Sequence, residues 1–163
     1  MSADLLFQII NTGVLPAWLL LVLAPRWRYT QTIAFGVVIP ILAVVYTTLL
    51  VRLTTAGGGF EAPDFSTLDA VMGLMSDRYG FVAGWAHYLA FDLFVGAWIV
   101  RDSAVNRVPH LLVIVPLFFT LMAGPMGLLI YLVMRQIRRR AFLAEPTPFA
   151  GAMAASGQGG SAS

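Results

Sequence analysis

The chain has 163 residues, of which 59% are hydrophobic and only 11% charged, with a mean hydropathy of +0.82. That balance excludes an ordinary soluble domain and places the chain in a lipid bilayer. It has no cysteine, hence no disulfide or thiolate site, and its ten basic residues are all Arg, so no Lys is present to form a Schiff base with an aldehyde.

The first apolar run covers about residues 4–24, near the roughly 20 residues a helix needs to span the hydrocarbon core. It stops at Pro25-Arg26-Trp27-Arg28. Its acidic start at Asp4 and its length argue against a cleavable signal peptide. The second run covers about 30–53, with Pro40 near its middle and Tyr46, Thr47 and Thr48 beyond it. A Gly-rich link follows, through Gly57, Gly58 and Gly59. Then Ser66 followed by Asp69, with Leu68, Val71, Met72 and Met75 at helical spacing, predicts a short amphipathic helix over about 66–78. Such a helix lies in the interface, as a lid over the bundle or as a plain anchor.

The third run covers about 81–101 and the fourth about 109–134, the latter with Pro116, Thr120 and Gly124-Pro125-Met126-Gly127 inside it. The expected fold is all-α: an integral membrane bundle of four transmembrane helices in one domain, residues 1–144, with the interfacial helix between the second and third. Residues 145–163, rich in Ala, Gly and Ser, are expected to be disordered. Kinks at Pro16, Pro40, Pro116 and Gly124-Pro125 free backbone carbonyls, which a bilayer tolerates where neighbours or a cavity satisfy them.

Counting Arg near the span ends sets Arg52, Arg78, Arg135, Arg138, Arg139 and Arg140 against Arg26, Arg28, Arg101 and Arg107. The bias predicts both termini in the cytoplasm. The cluster after the last span reads as a topology signal and a contact with anionic membrane lipids, not as a nucleic-acid site. The start does not look like a transit peptide, which predicts a bacterial plasma membrane. A homo-oligomer is left open.

The third run carries the chemistry. A carboxylate at mid-span costs about 2.5 to 3.5 kcal/mol, so Asp92 reads as a functional residue, with His87 in the same span. On a helical wheel Trp85, Tyr88, Asp92, Gly96 and Ile99 share one stripe, and Ala83, Ala86, Ala90 and Ala97 lie roughly opposite. His87 is about 140° from Asp92, so the two line different walls rather than forming a pair. With protein wanted on both sides, this should be the central helix. Asn11, Tyr46, Thr47, Thr48 and Tyr131, with Thr120 near mid-membrane, can complete a polar pocket. Equally, the Thr hydroxyls can bond their own helix, Asn11 can be interhelical glue, and Asp92 can serve only to hydrogen-bond Tyr88. His87, Asp92 and His110 are the candidate metal ligands. They are too few for a diiron or four-His iron site within one chain.

The chain resembles the abscisic-acid-deficient-four-like family over about residues 7–134. The likeness rests on Phe7 with Asn11, Leu15-Pro16-Ala17-Trp18-Leu19-Leu20, Ala24-Pro25-Arg26-Trp27 and Leu121-Met122-Ala123-Gly124-Pro125-Met126-Gly127. It is strongest in Gly84-Trp85-Ala86-His87-Tyr88-Leu89-Ala90-Phe91-Asp92-Leu93-Phe94-Val95-Gly96. Plant members are plastid membrane proteins needed to make neoxanthin, an allenic xanthophyll, from the epoxide violaxanthin. The resemblance implies a carotenoid or another polyisoprenoid as ligand. It also implies catalytic roles for Asp92 and His87, with Asn11, Trp18, Thr47, Trp85, Tyr88, Phe91 and Thr120 lining the substrate. Opening an epoxide to an allenic alcohol is an isomerisation. It needs an acid at the oxygen and a base at the carbon chain and no cofactor, whereas oxidative cleavage to an apocarotenoid would need iron. A carotenoid-binding accessory subunit and a purely structural bundle are the competing expectations.

Overall fold

The computed structural model describes residues 1–56 and 62–139, and every regular element among them is helical. The Gly-rich link at Gly57, Gly58 and Gly59, Arg140, and the tail 145–163 lie outside the described residues. Packing divides the chain into two units, Met1–Ala97 and the part from Trp98 onward, with the boundary inside one helix.

In the first unit, α1 (Ala3–Gly13) and α2 (Leu15–Leu23) make one apolar segment long enough to cross a membrane, interrupted at Val14. Pro16 explains the interruption, because its ring opposes the carbonyl of Thr12 and it has no amide hydrogen to donate. Thr30 closes the turn that follows, its hydroxyl donating to the Ala24 carbonyl at 2.6 Å. A second crossing-length segment, Thr30–Thr55, contains α3 (Thr30–Ile33), a π-helical turn (Ala34–Val38) and α4 (Ile39–Thr55). The widened turn ends just before Pro40, where a regular α-turn would drive the ring into the Gly36 carbonyl.

The short helix α5 spans Leu68–Ser76, two residues shorter at each end than the sequence suggests. Thr67 is its cap, accepting from the Ala70 amide at 3.2 Å. Ser66 belongs instead to the preceding turn, where its amide donates to Asp64 Oδ1 at 2.8 Å. The Ser66 hydroxyl and amide together hold the Asp64 carboxyl below the usual carboxylate value. Helix α6 (Arg78–Val105) is the third crossing-length segment. The carboxylate of Asp77 caps it, accepting from the amides of Tyr79 and Gly80 at 2.9 and 2.8 Å.

Within this unit α6 packs on two sides, as a central helix should. Asp4 bridges Arg78 at 2.5 Å, Trp85 Nε1 donates to Asn11 Oδ1 at 3.1 Å, and Gly96 leaves the space that the Trp18 ring fills. These contacts ascend together, so α1 and α2 run parallel to α6. The small-residue stripe is also buried, Ala86 and Ala97 completely. Gln31 Nε2 donates to the Ala97 carbonyl at 3.3 Å, tying α3 to α6.

The second unit corrects the expected fourth span. Residues 109–134 are not one helix; α7 (His110–Ala123) ends at Gly124, and α8 (Pro125–Arg139) folds back along it. Gly124 has φ 23°, in the region that favours glycine. Pro125 is at home at a helix start, where its missing amide hydrogen costs nothing. Gly127 then lies against α7, where a Cβ would come within 2.1 Å of the Thr120 hydroxyl and 2.4 Å of the Pro116 carbonyl. The Tyr131 ring meets Trp98 edge-on at 5.7 Å, Tyr131 also donates a hydrogen bond to Asp102, and Arg135 Nε lies 3.3 Å from the same carboxylate. Asn106 Nδ2 adds a bond to Asp102 at 2.9 Å. A straight fourth span would carry Arg135 to the far end from Asp102. The hairpin brings it beside Asp102 at the end of α6.

Candidate functional site

In the first unit α4, α5 and α6 enclose a cavity of about 230 Å³. Tyr46, Leu50 and Leu53 recur at helical spacing along one face of α4. Phe65, Leu74 and Met75 close the groove from the α5 side, and Gly80, Ala83, Gly84 and His87 form its α6 wall. Two glycines let α5 sit down on α6: the Leu74 carbonyl occupies the space of a Gly80 side chain, and Met75 packs on Gly84. With Leu68 and Met72 exposed on its other side, α5 covers the groove as a lid would.

The polar end of this apolar groove is made by His87 and Tyr46, whose rings lie 5.4 Å apart. Phe91 stands one turn beyond, 4.5 Å from the imidazole, and Phe94 meets Phe35 edge-on at 5.3 Å. Phe91 and Phe94 are 59% and 47% exposed, so in a bilayer these rings form an aromatic track facing lipid. An imidazole offers one donor and one acceptor nitrogen and a phenol offers a hydroxyl, enough for proton exchange at a ligand held here.

Asp92 faces away from this groove. It shares a stripe with Trp85 and Gly96, both of which contact the α1–α2 segment, and it is only 7% exposed. Tyr88, four residues earlier, hydrogen-bonds its carboxylate, while Oδ2 is buried without a partner. Trp18, in the same interface, likewise has a buried Nε1 with no partner. The wheel therefore separates the two residues correctly: Asp92 and His87 occupy different walls.

The remaining candidates divide by what their polar atoms do. Asn11 accepts the Trp85 bond and joins two helices, and Trp85 stacks between Phe81 and Tyr88 at 6.1 and 5.3 Å. Thr47 donates to the Ala43 carbonyl of its own helix at 2.8 Å, and Thr120, in the second unit, does the same to Pro116 at 2.7 Å. Of the expected catalytic pair only His87 lines the groove, and of the residues expected to line a substrate only Phe91 stands on its track. Tyr46, which the sequence places among the polar residues of the second span but not in the expected substrate-lining set, lies beside His87. Its signal was the 46, 50, 53 spacing on α4.

No group of three or more His, Cys, Asp or Glu among the described residues is arranged to hold a metal. His87 and Asp92 diverge, and His110 opens α7 in the second unit. Among the described residues, no such set fits an iron centre. The family model described as ABA DEFICIENT 4-like matches residues 5–131. No curated protein and no solved structure matches the chain.

Proposed function

The chain belongs to the ABA DEFICIENT 4-like family, and from that premise we propose that it is a membrane enzyme of carotenoid metabolism that isomerises one end of a carotenoid within the bilayer. The observation that carries this reading is the groove ending at His87 and Tyr46 and continued by the aromatic track. Its 230 Å³ is below the roughly 300–1,000 Å³ of a site that encloses a drug-sized ligand, so it takes one end group. The polyene lies outside, along Phe91 and Phe94.

For an epoxide end group the proton balance closes without a cofactor. Tyr46 gives a proton to the epoxide oxygen as its C–O bond breaks, and His87 removes a proton from the conjugated carbon chain as the allene forms. The proton then returns from imidazolium to phenolate, restoring both groups. Positioned general acid and base groups typically contribute about 10² to 10⁴ in rate. Asp92 is a positioning group in this scheme, fixing the register of α6 against α1 and α2 through Tyr88. We further propose that α5 is interfacial and that the protein resides in a bacterial plasma membrane.

Expression in bacteria that accumulate β-carotene or violaxanthin, with chromatography and mass measurement of the pigments, tests the reading. A product of unchanged mass that disappears in His87→Gln is the expected result. A product of lower mass indicates oxidative cleavage. Pigment that copurifies unaltered indicates a binding or accessory protein, and the absence of both overturns a carotenoid role.

A further inference from the structure

The second unit contains a larger groove, about 570 Å³, between α7 and α8, which the proposed reaction does not use. Its walls are Leu112 of α7 and Leu129, Val133 and Ile137 of α8 with their neighbours, and among the described residues the one charged side chain lining it is Arg138. We propose that this groove binds an anionic phospholipid, with the phosphate on Arg138 and an acyl chain laid between the two helices.

Three observations lead to that occupant. The first is depth. At roughly 1.5 Å per residue α6 is about 42 Å long, more than the ~30 Å hydrocarbon core, so its ends lie at headgroup level. Trp98 pairs with Tyr131 and Asp102 with Arg135, and the same register sets Arg138 beside the level of Val105, the last residue of α6. The second is charge. Asp102, the acid packed against α8, is already engaged by Arg135, Tyr131 and Asn106, and no acidic residue among the described ones lines the groove, so Arg138 gives it a positive end. The third is shape. From Arg138 the groove descends to Leu129, about 13 Å along the helix axis, with apolar walls throughout. A phosphate above a hydrocarbon chain matches that order of chemistry.

The purified chain in mild detergent, titrated with dioleoylphosphatidylglycerol or dioleoylphosphatidylcholine and read by native mass spectrometry, tests the site. One basic side chain at the surface contributes about 1 kcal/mol toward an anionic lipid, so the expected preference for phosphatidylglycerol is roughly fivefold. Arg138→Gln should abolish the preference while leaving weak binding of both lipids, and Val133→Trp, which fills the groove, should remove both. Equal binding of the two lipids by the unaltered chain overturns the proposal, as does a preference that survives both variants. Displacement of phosphatidylglycerol by carotenoid, or a dimer that Val133→Trp dissolves, assigns the groove to another occupant and overturns it equally.

Discussion

His87 and Asp92 stand five positions apart on one helix, and that spacing turns them to different neighbours. A side chain at the lipid-facing groove can meet a hydrophobic ligand arriving sideways from the bilayer. A carboxylate packed against a neighbouring helix cannot, although its burial makes it the more conspicuous residue in the sequence. His87→Gln and Tyr46→Phe are therefore expected to lower pigment turnover by about 10² to 10⁴ while leaving the thermal unfolding midpoint in detergent unchanged. Asp92→Asn keeps a partner for Tyr88 and removes a buried charge, so turnover should fall less than tenfold, with stability equal or higher. A complete loss of product in Asp92→Asn at normal folded yield would transfer the catalytic role to that residue. The helical wheel made the divergence legible from sequence alone. It could not pair Tyr46 with His87, because the wheel of one helix does not say which residues of a neighbouring helix face it.

Among the elements, the C-terminal hairpin is the one that hydropathy conceals. Apolar residues continue on both sides of Gly124, and a Pro in an apolar run is read as a kink far more readily than as a reversal. What turns the chain is the positive φ at Gly124 together with the missing side chain at Gly127, and neither is visible in a hydropathy profile. Gly127→Leu should cost at least the 1 to 3 kcal/mol typical of overpacking, since the space is already occupied by the Thr120 hydroxyl and the Pro116 carbonyl. The ion pair tests the same element differently. Asp102 and Arg135 have side chains only 2% and 5% exposed, so Asp102→Asn leaves a buried guanidinium without its counter-charge, at a cost of about 3 to 5 kcal/mol. Adding Arg135→Met should recover most of that loss, as measured by denaturant titration in detergent. If the double variant is no more stable than Asp102→Asn, the pair is not what holds α8 to the end of α6.

Across the whole molecule, the hairpin changes which residues mark the two membrane faces. The start of α6 is accompanied by Arg78 and by Arg52, whose guanidinium lies 3.8 Å over the Tyr79 ring. The end of α6 carries Arg101, runs into the connection holding Arg107, and is met by Arg135 with Arg138 one turn beyond. Arg26 and Arg28 follow α2, which ascends in the same direction as α6. Within the first unit the split is even, Arg52 and Arg78 against Arg26 and Arg28, while Arg101, Arg107, Arg135, Arg138 and Arg139 all belong to the second. The positive-inside tendency predicts that the Arg-rich end of the second unit is cytoplasmic and that the amino terminus, tied to the start of α6 through Asp4 and Arg78, faces away from the cytoplasm. Fusions of the full chain to alkaline phosphatase, active only outside the cytoplasm, and to green fluorescent protein, fluorescent only within it, read this directly. Phosphatase activity is expected from an amino-terminal fusion and fluorescence from a carboxyl-terminal one. Fluorescence from both ends would restore an even number of crossings, and with it a straight fourth span. That result would also remove the register that sets Arg138 at headgroup level, so the orientation of the chain and the chemistry of its second groove rest on the same turn at Gly124.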